Sequence, residues 1–216
     1  MIKKSVTFFI EGSDGVGKST ISKLIQDTLK AKNIHTPNTH IIRSTSVGWA
    51  FYSEFVAGKL SDFTGALHML GSTVSTIEQL YENDSSQVVN IVDRSQASFY
   101  AYQMSDPSIG NAIEKAYEYS LTNMFYKNSK YFVIYVKCQP EIALDRIKKT
   151  RGRLESIETL GPVFQRTIQG RFEECFLKYP ILKPALVIDT SEDSEEARTK
   201  ISKQVIDFVF NSIGKH

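Results

Sequence analysis

The segment Gly12-Ser13-Asp14-Gly15-Val16-Gly17-Lys18-Ser19 follows the apolar run Val6-Thr7-Phe8-Phe9-Ile10 and precedes apolar positions at helical spacing, Ile21, Leu24, Ile25 and Leu29. A glycine-rich turn from a strand into a helix, closed by a lysine and a hydroxyl residue, reads as a phosphate-binding P-loop. Its glycines let backbone N–H groups curl around an anion, and the helix N-terminus adds positive potential. Lys18 supplies a point charge between the outer phosphates, and Ser19 offers a hydroxyl to Mg²⁺, with Thr20 beside it. Residues Gly12 to Thr20 therefore read as a nucleoside triphosphate site.

Outward from this loop, apolar runs recur at Val6 to Ile10, Ile41-Ile42, Val88 to Val92, Tyr131 to Val136 and Ala185 to Ile188. Helical periodicity fills roughly 18 to 32, 48 to 58, 62 to 82, 96 to 104, 109 to 127, 139 to 149, 160 to 178 and 193 to 212. The alternation predicts an α/β fold, a five-stranded parallel sheet with helices on both faces. All runs but Ile41-Ile42 are nearly continuous, as expected of strands buried on both sides. Asn33 to Thr39 and Gly152 to Pro162 read as loops. Asp193, Glu195 and Glu196 read as the acidic first turn of the last helix.

A chain of 216 residues closes a single core, so one domain spanning 1–216 is expected. Apolar residues make up 41% but never run long enough to cross a bilayer, and the N-terminus lacks a signal-peptide pattern. The reading is a cytoplasmic protein without a membrane partner. Cys138 and Cys175 lie 37 positions apart and form no metal or disulfide motif, so both read as core thiols. His35, His40, His68 and His216 lack metal-ligand spacing and read as loop, surface or packing residues. A net charge of +2 argues against a general nucleic-acid binder and directs attention to where the charges cluster.

One cluster is Arg146, Lys148, Lys149, Arg151 and Arg153, which ends a helix and enters a loop at Gly152. Such cations complement a helix C-terminus, and in a lid at about 148–160 they can also swing onto phosphates. The other is Asp93-Arg94-Ser95, where the third long run ends. Ligands of an open parallel sheet bind beyond the carboxyl ends of the strands, which puts Asp93 and Arg94 opposite the P-loop. Asp93 can hold Mg²⁺ and Arg94 can bridge donor and acceptor phosphates; the same two residues also suit a buried ion pair. Arg43, after the second run, reaches the same edge. These parts suit phosphoryl transfer, which needs positioning and charge more than covalent chemistry.

Together with the P-loop, Asp93-Arg94-Ser95-Gln96-Ala97-Ser98-Phe99-Tyr100-Ala101-Tyr102-Gln103 and the segment Glu141 to Ile147 followed by Arg151-Gly152-Arg153 and Ile157-Glu158 resemble the thymidylate kinase family over nearly the whole chain. Its members phosphorylate dTMP to dTDP with ATP, a step of nucleotide biosynthesis. The resemblance implies that Asp14 contacts the sugar 3′-hydroxyl, that Arg94 and Arg43 grip the monophosphate, and that Ser98 and Gln103 lie near the base. It implies ATP as donor, held by Gly12 to Thr20 and Arg146, Mg²⁺ on Ser19 and Asp93, and a homodimer formed through helix 62–82 or 109–127. Some members carry a catalytic arginine in the P-loop after the Asp; Gly15 stands there, so Arg151 and Arg153 are the candidates beside Lys18 and Arg94.

The chain departs from the family in three places. The family's Phe-x-x-x-Arg stretch is Leu67-His68-Met69-Leu70-Gly71-Ser72-Thr73, the Glu-Pro after the first substrate arginine is Ser44-Thr45, and the lid's Asp-Arg is Glu155-Ser156. The base preference is therefore open. Asp-Arg-Ser and Trp49 are also similar to deoxynucleoside kinases, which phosphorylate a neutral hydroxyl and need a general base, for which Glu11 or Glu54 stand available. A P-loop switch with slow hydrolysis is a third reading.

Overall fold

The run Val6-Thr7-Phe8-Phe9-Ile10 becomes a strand whose residues are all buried, with successive side chains entering different cores. The computed structural model describes residues 5–41, 46–82, 88–104, 106–124, 130–154 and 158–214. Its strands are β1 (Val6–Glu11), β2 (Asn38–His40), β3 (Val89–Asp93), β4 (Lys130–Lys137) and β5 (Leu186–Asp189). They form a parallel sheet in the order β2-β3-β1-β4-β5. The helices are α1 (Lys18–Lys30), α2 (Ser46–Val56), α3 (Asp62–Glu82), α4 (Gln96–Gln103), α5 (Pro107–Met124), α6 (Pro140–Arg151), α7 (Gly161–Lys178) and α8 (Glu195–Ile213).

Side chains alternate across a strand, so a strand covered on both faces needs apolar residues at both parities. Phe8, Ile10, Ile91, Ile134 and Val136 pack on one face against α1, α6 and α8 through Ile21, Ile25, Ala143 and Val209. Phe9, Val92, Val133 and Tyr135 pack on the other against α3, α4, α5 and α7 through Ile77, Phe99, Tyr117 and Phe172. Cys138 and Cys175 are free and buried in these cores. Among the described residues, no helix is long and apolar enough to cross a membrane.

Two edges differ from the expectation. The second strand is Asn38–His40 instead of Ile41-Ile42, and it takes in the end of the segment read as a loop. Ile41 is buried, but its carbonyl accepts a hydrogen bond from Thr76 Oγ1 on α3 at 2.8 Å. Its side chain joins the core on which α3 packs, and its N–H donates to the Asp93 carbonyl of β3 at 3.2 Å, one bond beyond the end of the strand; Ile42 lies outside the described residues. The fifth strand is also not buried on both faces, because it is an edge and Val187 is 46% exposed. The last helix starts two residues later than read: the Ser194 side chain caps it by accepting from the Ala197 N–H, Glu195 and Glu196 occupy the first turn, and Asp193 lies before the cap, where it pairs with Arg198.

Candidate functional site

The P-loop joins β1 to α1. Gly15 (φ 78°) and Gly17 (φ 95°) take left-handed backbone, and Gly17 leads into α1. A side chain at Gly15 would run into the Ala143 carbonyl of α6, so the loop packs closely on that helix. Lys18 is buried, and its Nζ donates to the Ser13 carbonyl at 2.8 Å and lies 3.8 Å from Asp14 Oδ1. Burial lowers its pKa, with Arg94 pushing the same way and Asp14 opposing.

At the neighbouring strand end, Arg94 adopts φ 75°, a left-handed conformation rare for a residue with a side chain. Its backbone N–H donates to the Ile10 carbonyl at 3.0 Å, which ties this corner to β1. Its Nη2 meets Asp14 Oδ1 at 2.5 Å, its Nη1 donates to Ser98 Oγ at 3.3 Å, and its Cζ lies 5.1 Å from the centre of the Tyr102 ring. Tyr102 donates to the second Asp14 oxygen at 3.3 Å. Burial alone would raise the Asp14 carboxyl, but Arg94, Lys18 and the Tyr102 bond outweigh it and hold the pKa at about 2; Arg151 adds a smaller pull. Burial opposes the Arg94 charge as well, but Asp14 together with Tyr102, Asp93 and Glu11 outweighs it, so the guanidinium pKa is raised.

These groups open onto a pocket of about 380 Å³. Asp14, Gly15, Gly17, Lys18, Ser19 and Thr20 form its floor, and Asp93, Arg94 and His40 form one side. Arg146, Ile147, Thr150 and Arg151 of α6 form the other. Arg146 is fixed there because its Nη2 donates to the Thr190 carbonyl at 2.7 Å and its Nη1 to Thr190 Oγ1 at 3.1 Å. Thr190 Oγ1 in turn donates to the Val16 carbonyl of the P-loop at 2.8 Å. Arg151 pairs with the buried carboxylate of Glu158 at 2.7 Å. Asp93 Oδ1 is buried with no hydrogen-bond partner, and Ser19 lines the same pocket. Two oxygen donors, one of them unpartnered, fit a hard cation such as Mg²⁺ that takes its other ligands from water and phosphate.

The thymidylate kinase family model matches residues 10–201. The chain belongs to that family. It is similar to the thymidylate kinase of Legionella pneumophila, with 26% identity over 94% of this chain and 95% of the relative. It is also similar to that of Vibrio campbellii, with 27% identity over 87% and 88% of the two chains. The solved thymidylate kinase of Candida albicans superposes with a TM-score of 0.70, covering 97% of this chain and 94% of that one at 18% identity, a likeness of fold.

The thymidylate kinase pattern is assembled unevenly. Lys18, Asp14, Ser19, Thr20, Asp93, Arg94, Arg146 and Arg151 meet at one pocket, while Gly12, Ser13 and Val16 are buried in the turn beneath it. Arg153 is exposed beyond the end of α6 and does not line the pocket. Ser98 is buried with its hydroxyl engaged by Glu11 and Arg94, and Gln103 ends α4 half-buried, outside the pocket lining. Arg43, Ser44-Thr45 and Glu155-Ser156-Ile157 lie outside the described residues. In the segment that lacks the family's arginine, Met69, Leu70 and Thr73 are buried and His68 stacks on Phe51.

His40 corrects a reading from sequence. Of the loop, surface and packing roles read for it, the loop does not hold, because it ends β2 in register with Asp93, where it also lines the pocket. Thr190 and Tyr102 are also partners that spacing did not assign. The position of Thr190 directly after a strand is the one signal that could have found it.

Proposed function

We propose that this chain transfers the γ-phosphoryl group of ATP to a deoxynucleoside monophosphate, dTMP to dTDP. The observation that carries the reading is the convergence of Lys18, Asp14 and Arg94 on one pocket at the ends of β1 and β3. In the open pocket Asp14 and Arg94 neutralise each other. An acceptor phosphate takes the Nη2 edge of Arg94, and the freed Asp14 accepts a hydrogen bond from the sugar hydroxyl. Lys18 and the loop amides hold the ATP phosphates, and Arg146 holds the nucleotide on the α6 side. Ser19 and Asp93 would hold Mg²⁺, whose charge would offset that of the phosphates. Arg43 adds a second grip on the monophosphate, and Gln103 lies toward the base.

Of the two arginines proposed to close over the transferring group, the lining of the pocket supports Arg151 over Arg153. For Arg151 to reach the phosphates it exchanges Glu158 for the incoming charge. An arginine delivered by a lid at about 148–160 limits wasteful hydrolysis of ATP, since it arrives with closure. We read residues 1–216 as one domain, located in the cytoplasm, without a nucleic-acid partner. The dimer reading is supported at α3, where Phe63 and Leu67 are exposed four residues apart on one face. Sedimentation of Phe63→Glu/Leu67→Glu as monomer, against dimer for the parent, tests it; two monomers or two dimers remove α3 as the interface.

A nucleoside acceptor needs a general base, and neither candidate carboxylate serves. Glu11 is fully buried and accepts from Ser95 and Ser98, while Glu54 is exposed and pairs with Lys59 at 3.0 Å. A monophosphate is already an anion and needs no such base. The test is ADP release with ATP and Mg²⁺ across dTMP, dUMP, dCMP, dGMP, dAMP, GMP, thymidine and deoxycytidine. Turnover on dTMP well above the others supports the proposal. Turnover on a nucleoside alone overturns the monophosphate reading, and hydrolysis without acceptor dependence moves the switch to the front.

A further inference from the structure

Glu11 ends β1, the central strand, and has no solvent-exposed surface. A buried carboxylate persists only with strong hydrogen bonds. Here Ser95 Oγ donates to Oε1, the Ser98 backbone N–H donates to Oε1 at 3.2 Å, and Ser98 Oγ donates to Oε2 at 2.5 Å. Ser95 is also the N-cap of α4, accepting from the Ala97 N–H at 3.2 Å. All three donors belong to the turn that follows Arg94.

Arg94 itself sits in left-handed backbone, a strain of about 1–2 kcal/mol that holds only where its surroundings overdetermine it. The Ile10 carbonyl pins the residue from one side, and Glu11, the next residue of the same strand, pins Ser95 and Ser98 from the other. The Ser98 hydroxyl has one proton, and that proton points at Glu11. Its lone pairs are thereby turned to accept from Arg94 Nη1.

We infer that Glu11 is a positioning residue for Arg94, acting through the Ser98 hydroxyl. The inference rests on the reading of Arg94 as the phosphate-bridging group. When the acceptor phosphate displaces Asp14 from Nη2, the Ser98–Glu11 side is the anchor that remains, and it holds the planar fork at the angle the phosphate needs. Burial raises the Glu11 pKa on balance, and the Ser95 and Ser98 hydrogen bonds and Arg94 oppose that rise without cancelling it. Glutamine in its place would direct an N–H at Ser98 Oγ and occupy a lone pair that now faces Arg94.

The test is a mutant cycle read with the acceptor that the parent turns over. Glu11→Gln and Ser98→Ala each lower kcat/KM for the acceptor about tenfold, the cost of one charge-assisted hydrogen bond, with KM for ATP unchanged. The double variant is no worse than the poorer single one within about twofold, and Glu11→Gln costs less than about twofold once Arg94 is alanine. Additive losses, or a loss shared equally with KM for ATP, overturn the inference. Where Glu11→Gln does not fold, Ser98→Ala carries the test alone: its loss vanishes in the Arg94→Ala background or the relay is wrong. An activity-independent reading uses protein labelled with ¹⁵N-arginine, with the Arg94 guanidinium signals assigned by their loss in Arg94→Lys. Separate Nη signals in the parent that merge in Ser98→Ala support the relay, and unchanged signals overturn it. Absence of turnover in the parent is instead a failure of the functional reading, and the NMR comparison still decides the relay.

Discussion

Arg94 is the residue on which the proposed chemistry turns, and it meets Asp14, Ser98 and the face of Tyr102 at once. Replacing it with alanine removes a charge aimed at the transferring group and lowers the acceptor-dependent rate by about a hundredfold or more. A loss of about tenfold or less in steady-state kinetics removes it from the mechanism. Its partner Asp14 makes a claim about pH. The Asp14 carboxyl falls from 3.8 to about 2 in the folded chain, so folding favours its ionised form. That is on the order of 2 kcal/mol, present in full above the ordinary carboxyl pKa and lost as pH falls through about 2. Urea midpoints for the parent should therefore drop more steeply between about pH 4 and pH 2 than those of Asp14→Asn; parallel curves would show that the pair contributes nothing net.

At the scale of elements, the loop from β1 into α1 depends on two glycines for different reasons. Gly17 faces open space, so Gly17→Ala meets only the backbone cost of its left-handed φ, about 1–2 kcal/mol. Gly15 has the same kind of φ but is backed by the Ala143 carbonyl, so Gly15→Ala must also push α6 away. The prediction is a lower melting temperature for Gly15→Ala than for Gly17→Ala, and a larger loss of ATP affinity by calorimetry. Equal effects would mean that contact with α6 does not constrain the loop. The cation run ending α6 divides along the helix in the same way. Lys148 and Lys149 stay exposed in its last turn, where they complement the dipole, while Arg146 and Arg151 turn to the pocket. Sequence spacing alone could not separate these two fates, because they depend on which face of α6 meets the P-loop.

For the whole molecule, the two faces of the sheet carry different duties. Phe172 of α7 lies in the core that α4 also packs on, with its ring centre 6.4 Å from Tyr102 and 5.5 Å from Tyr135. Phe208 packs on the opposite face against Phe8 and Phe132. Phe172→Ala should cost about 3–5 kcal/mol by chemical denaturation and also raise KM for the acceptor, since Tyr102 loses its backing beneath Arg94. Phe208→Ala should destabilise while leaving that KM within about twofold of the parent. If both variants move KM alike, the site is coupled to general stability and not to one face. Tyr117 and Tyr100 extend the same cluster toward α5, which is joined to α4 by this packing and by hydrogen bonds from Tyr117 to the Gln96 carbonyl at 2.9 Å and from Gln96 Nε2 to Ser120 Oγ at 2.6 Å.

Sequence by itself determined the phosphate loop, the α/β class and all the helices to within a few residues, because strand-turn-helix periodicity and glycine placement are local properties. It also determined that Asp93 and Arg94 face the loop, since parallel strands deliver their carboxyl ends to one side. It could not place the end of β2 at His40, with Ile41 one residue beyond it, because burial reads the same in either case. Only the tertiary structure decided that Glu11 is sealed behind Ser95 and Ser98, that His40 reaches the pocket and that Thr190 holds Arg146. Each of these depends on residues brought together from β1, β2, the start of α4, the end of β5 and α6, far apart in the chain. Their meeting is set by strand order and the packing of helices on the sheet, which no local pattern encodes.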